Sequence, residues 1–107
     1  MKRKTLLPPV HPGEILAEDF MKPLKLSAYR VAKDLGVSPI AISQIIRRKR
    51  GVSAEMALRL ACYTNMSANF WQNVQADYDL EMAKRSFQKR FFRQIKPVKS
   101  STLAHKF

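Results

Sequence analysis

The stretch Ser27-Ala28-Tyr29-Arg30-Val31-Ala32-Lys33-Asp34-Leu35-Gly36-Val37-Ser38-Pro39-Ile40-Ala41-Ile42-Ser43-Gln44-Ile45 decides the fold of this chain. Ser27 is a helix N-cap, and Val31, Ala32 and Leu35 share the inner face of the helix it opens. Gly36 stands where a helix end needs a left-handed residue. Ser38 caps a second helix with Pro39 at its first position, where a missing N–H is harmless. Ile42 and Ile45 then point inward. Two short helices that cross at a steep angle need a small residue on the first and a sharp turn between them. Ala32 and Gly36 meet both demands, so the stretch reads as a helix-turn-helix. The run Arg47-Arg48-Lys49-Arg50 follows directly, which a plain helical hairpin does not explain.

Working outward, His11-Pro12-Gly13-Glu14 opens a first helix, with Glu14 near its positive end. Ile15, Leu16 and Phe20 fall on one face, and Pro23 is predicted to stop it. Gly51 is expected to end the third helix or the turn after it. Ser53 caps a fourth helix over residues 54–63, with Met56, Ala57, Leu60 and Ala61 inward. Ser67 caps a fifth that carries Phe70, Trp71, Val74, Tyr78, Leu80 and Ala83. Phe70, Trp71, Tyr78 and Leu80 are expected in the core, with some outer apolar residues in a dimer seam. The pattern can continue through Phe87, Phe91 and Ile95 until Pro97 forbids it. The expected fold is all-α, with five helices and no strand. Its parts are a basic arm over residues 1–10, the helix-turn-helix domain over 11–83 and a basic amphipathic tail over 84–107.

With 107 residues the chain has room for one domain at most. Twenty Lys and Arg against 8 Asp and Glu leave a formal charge of +12, which implies a polyanionic partner. No apolar run approaches the roughly 18 residues that span a bilayer, and the start lacks the features of a signal peptide. A cytoplasmic location is the expectation. The single cysteine, Cys62, cannot form an internal disulfide and is expected as a buried core thiol.

If the third helix enters the major groove, its N-terminal and outward residues meet base edges. Those candidates are Ser38, Ile40, Ala41, Ser43, Gln44 and Arg47. Gln44 can bond adenine in a bidentate fashion, Arg47 can reach guanine, and Ile40 or Ala41 can pack on thymine methyls. Ser27, Arg48, Lys49 and Arg50 are candidates for phosphate contact, which positions the protein without specifying sequence.

The helix-turn-helix resembles the Xre/Cro class, whose domains are lambda-repressor-like. Three further stretches narrow the resemblance to the HigA antitoxin family, also known as virulence-associated protein I. They are His11-Pro12-Gly13-Glu14-Ile15-Leu16, Val52-Ser53-Ala54-Glu55-Met56-Ala57-Leu58-Arg59-Leu60-Ala61 and Phe70-Trp71-Gln72-Asn73-Val74-Gln75-Ala76-Asp77-Tyr78-Asp79-Leu80. The resemblance implies a homodimer that binds a palindromic operator at its own promoter. It also implies a RelE-like, mRNA-cleaving ribonuclease toxin that the antitoxin neutralises by binding it. The alternatives are a stand-alone Xre-type regulator without a toxin, and a protein-interaction module whose helix-turn-helix is vestigial. A two-fold dimer reading half-sites about one helical turn apart is consistent with one recognition helix per chain.

The tail after Ala83 holds eight Lys or Arg and no acidic residue. It can extend helix five and pack on a second subunit, contact DNA phosphates or the toxin, bind an anionic membrane or remain disordered. Phe87, Phe91 and Phe92 are its candidates for a dimer or partner contact. No membrane role is expected. His11 and His105 have no second ligand at metal spacing, Cys62 has no nearby histidine, and no glycine-rich phosphate loop occurs. The expectation is a non-enzyme without cofactor or metal, in which Glu81 pairs with Arg85.

Overall fold

Four serines and one histidine start the five longest helices. The computed structural model describes residues 9–87 and 89–99. Of the arm expected over residues 1–10, residues 1–8 lie outside this range, as does the tail from residue 100. Helix α1 runs through three continuous segments, Pro12–Ile15, a π-helical Leu16–Met21 and Lys22–Leu24. Then come α2 (Ala28–Leu35), α3 (Pro39–Ile46), α4 (Ala54–Thr64), α5 (Ala68–Ser86) and α6 (Lys89–Gln94). All elements among the described residues are helical.

The hydroxyls of Ser27, Ser38, Ser53 and Ser67 accept from the N–H groups of Arg30, Ala41, Met56 and Phe70. Each cap satisfies an orphan helix donor and contributes about 1 kcal/mol. Exits are equally local: Lys25, Gly36, Arg48 and Asn65 all adopt positive φ.

Two predicted boundaries move. Pro23 does not stop α1, because the helix passes into a π register before it and ends at left-handed Lys25. The Lys22 N–H reaches back to Ala17 O, and this wider turn relieves the clash that a proline ring makes with the carbonyl four residues earlier. The α3 exit lies at Arg48, before Gly51. Gly51 instead faces the Gln75 amide, which a Cβ would meet at 3.0 Å. Helix α5 stops at Ser86, and Phe87 turns extended, so the expected unbroken helix becomes two.

The core is built from Leu16, Val31, Ile42, Ile45, Leu60 and Trp71, all essentially inaccessible. Ala32 is buried where α2 meets α3, as its size predicts. Helix α1 lies across α3 at Gly13, so close that a Cβ there would sit 1.9 Å from the Ile45 carbonyl oxygen. Trp71 packs beside Phe20 and Phe70, and its indole N–H donates to Thr64 Oγ1 at 3.2 Å. Beyond Tyr78, α5 buries nothing fully: Leu80, expected in the core, is exposed, and so is Ala83. Ala61 is half-buried rather than core. Cys62 is also exposed, correcting the buried thiol. It stands two residues past inward-facing Leu60, about 200° around a helix.

Candidate nucleic-acid interface

The α3 surface divides cleanly. Ala41, Ile42 and Ile45 face the core, whereas Ile40 and Arg47 are exposed and Ser43 and Gln44 half-buried on the other side. Positions 40, 43, 44 and 47 follow helical spacing, giving a strip of one apolar, two neutral polar and one cationic side chain. Ile40 leaves 66% of its surface in solvent, a large exposure for an isoleucine. Ala41 leaves 6% and packs inward, so it is removed from the base-reading candidates. Ser38 is exposed, but its oxygen already accepts the Ala41 N–H. Ser27 is likewise engaged as the α2 cap.

A Schellman motif closes α3. The Lys49 N–H donates to Gln44 O at 2.8 Å and the Arg48 N–H to Ile45 O at 3.0 Å. This geometry puts Arg48 at the left-handed position, φ 63°, where glycine is usual. The Arg48 guanidinium lies 3.7 Å from Glu14, linking the end of α3 to the start of α1. Both groups are about half exposed, so the pair adds little stability. Arg48 is thus more than a phosphate candidate. Arg50 folds back, its Nε donating to Gln44 Oε1 at 3.0 Å. Lys49 is exposed.

Beneath the next loop lies a residue that the sequence reading missed. Gln75 is buried, its Oε1 accepting the Val52 N–H at 2.7 Å while its Nε2 donates to Asp79. Gln72 adds a bond from its Nε2 to Val52 O. These contacts anchor the loop that follows Arg50 to α5. A glutamine one helical turn past the buried Trp71 was the available signal.

His11 links the same region. Its Nδ1 accepts the Gly13 N–H at 2.9 Å, and its ring meets Tyr78 edge-on at 4.7 Å. Burial, and then the Arg48 charge, hold its pKa below the ordinary 6.5, with Asp79 and Glu14 opposing. The folded state therefore favours neutral imidazole. Above pH 6.5 the group is neutral in both states; as pH falls below that value, the unfolded chain takes up the proton first and stability declines. Thermal melts between pH 7.5 and about 5 should show this slope, limited to about 1.4 kcal/mol per pH unit. His11→Asn keeps a capping acceptor without the titration and should flatten the profile. An unchanged slope would remove His11 as its source. Asp34, held low first by the Tyr63 hydroxyl and also by Arg30, titrates below 3.8, outside that window.

In the tail, Phe87 and Phe92 stack edge to face at 4.7 Å. Phe92 is mostly exposed, and the Phe91 side chain lies outside the described residues. Glu81 pairs with Arg85 at 3.3 Å as its spacing predicts. Among the described residues no helix is long and apolar enough to cross a membrane, and no group of three acidic, His or Cys side chains could hold a metal.

The family described as helix-turn-helix matches residues 18–71. Virulence-associated protein I of Dichelobacter nodosus is 48% identical over 85 residues, 79% of each chain. Antitoxin HigA-1 of Vibrio cholerae is 31% identical over 97 residues, 90% of each. Among solved structures, Pseudomonas aeruginosa antitoxin HigA with the higBA promoter superposes with a TM-score of 0.79 at 40% identity. That match covers 84% of this chain and 98% of the other.

Proposed function

Because the chain belongs to the helix-turn-helix family, with virulence-associated protein I and the HigA antitoxins as relatives, we propose that it is an operator-binding repressor and antitoxin. The observation that carries this reading is the outward α3 strip of exposed Ile40 and Arg47 with half-buried Ser43 and Gln44, beside Lys49 and Arg50. A major groove about 12 Å wide admits an α-helix. The strip mixes an apolar contact for a thymine methyl with hydrogen-bonding groups for base edges, while exposed Lys49 meets a phosphate. The Pseudomonas HigA structure with promoter DNA supports the same use here.

The working unit is a homodimer on a palindromic operator, with half-sites about one helical turn apart. Its second partner is a small mRNA-cleaving toxin of the RelE-like class, encoded beside it and inhibited by direct binding. The antitoxin name of the Vibrio relative supports that half. Co-expression with the adjacent gene is the test: co-purification and growth rescue are expected. A neighbour that neither binds nor harms the cell would reduce the protein to a stand-alone regulator.

Binding assays separate base reading from phosphate contact. Gln44→Ala and Arg47→Ala should each lower operator affinity about 5- to 100-fold and leave a scrambled duplex nearly unaffected, because a good base contact discriminates by about 1–3 kcal/mol. Lys49→Ala should weaken both duplexes alike and reduce the slope of log K against log salt by about 0.9. Equal losses on both duplexes for all three variants would overturn these roles.

A further inference from the structure

We propose that Gln44 and Arg50 act as one composite donor edge that selects guanine, in place of the adenine contact that a lone glutamine would make. The inference rests on the operator-reading role proposed above and names the base chemistry that this site takes. Glutamine reads adenine by using both ends of its amide, the oxygen accepting from N6 and the nitrogen donating to N7. Here the oxygen is already engaged, since Arg50 Nε donates to Gln44 Oε1 at 3.0 Å.

An amide oxygen has a second lone pair, but this one lies against a permanent cation. An adenine N6 amino group approaching it would bring a positively polarised donor toward the guanidinium. The amide nitrogen keeps its N–H donors. The Arg50 guanidinium that holds the oxygen carries further N–H groups, which are donors only. Gln44 and Arg50 together therefore present hydrogen to the groove and little acceptor capacity. Guanine is the base whose major-groove edge supplies two acceptors, N7 and O6.

The backbone favours this pairing. The Schellman turn at Arg48 sends the chain back across the end of α3, which brings position 50 beside position 44. Gln75 and Gln72 then hold Val52, two residues on. Arg50 is a positioning residue for Gln44 as well as a cation near the groove.

The test is selection from a pool of randomised duplexes with the full-length wild type, Gln44→Ala and Arg50→Ala. The position that loses information in Gln44→Ala marks the base read by this side chain. Wild type should prefer guanine there, and Arg50→Ala should move the preference to adenine by about tenfold. Thermal melts of Arg50→Ala should match the wild type, since the pair is exposed. A wild-type preference for adenine, or an unchanged preference in Arg50→Ala, would overturn the proposal. Failure of the wild type to enrich any duplex would instead refute the operator-reading role itself.

Discussion

Gly13→Ala is expected to destabilise the domain by about 3 kcal/mol or more, lowering the melting temperature by about 15 °C. Helix propensity alone predicts the opposite sign, because alanine is favoured over glycine by about 1 kcal/mol inside a helix. The tertiary contact decides the outcome. A Cβ at position 13 would sit 1.9 Å from Ile45 O, 2.7 Å from Ile45 C and 3.0 Å from Ile46 Cα. All three atoms are backbone, so no side chain can rotate out of the way. Helix α1 would have to lift from α3, breaking the seam that holds the recognition helix. Circular dichroism against temperature measures the effect. A melting point within about 3 °C of wild type would show that the close approach is not maintained in solution. Operator affinity should fall with stability, since the close approach at Gly13 is made on α3 itself.

Trp71→Ala is the second large effect, expected at about 3–5 kcal/mol, the usual range for truncating a buried tryptophan. The side chain is fully buried between Phe20 and Phe70 and donates to Thr64 Oγ1. Truncation removes the ring contacts with Phe20 of α1 and Phe70 of α5 together with the hydrogen bond to α4, and leaves a cavity. Trp71→Phe retains most of the packing and should cost about half as much. Because Trp71 is the sole tryptophan, unfolding must be followed by circular dichroism. Equal stability of Trp71→Ala and Trp71→Phe would argue that ring packing contributes little.

Much of the fold was legible because its signals are local. A serine before an apolar periodic run leaves few choices, since its hydroxyl satisfies a donor three residues on. All four serine caps lie as expected. Gly36 is left-handed between α2 and α3, as the turn demands. Other expectations failed where one signal was read without its context. The apolar neighbours of Cys62 predict a core thiol, but helical pitch turns it away from Leu60. Pro23 predicts a terminator, and a π register admits it instead.

At the interface, the helix-turn-helix, the identity of the α3 strip and the surplus of cations beside it are legible in the residues alone. These follow from spacing and side-chain type, which act within one or two helical turns. Only the tertiary structure decided that Ala41 faces inward, that Arg48 occupies a left-handed turn bound to Glu14, and that Arg50 engages Gln44. It also decided that Gly13 must be glycine and that Gln75 secures Val52. Periodicity states which side of a helix is apolar. It does not state which backbone will press against that side, nor which polar group will be left needing a partner once the helices meet.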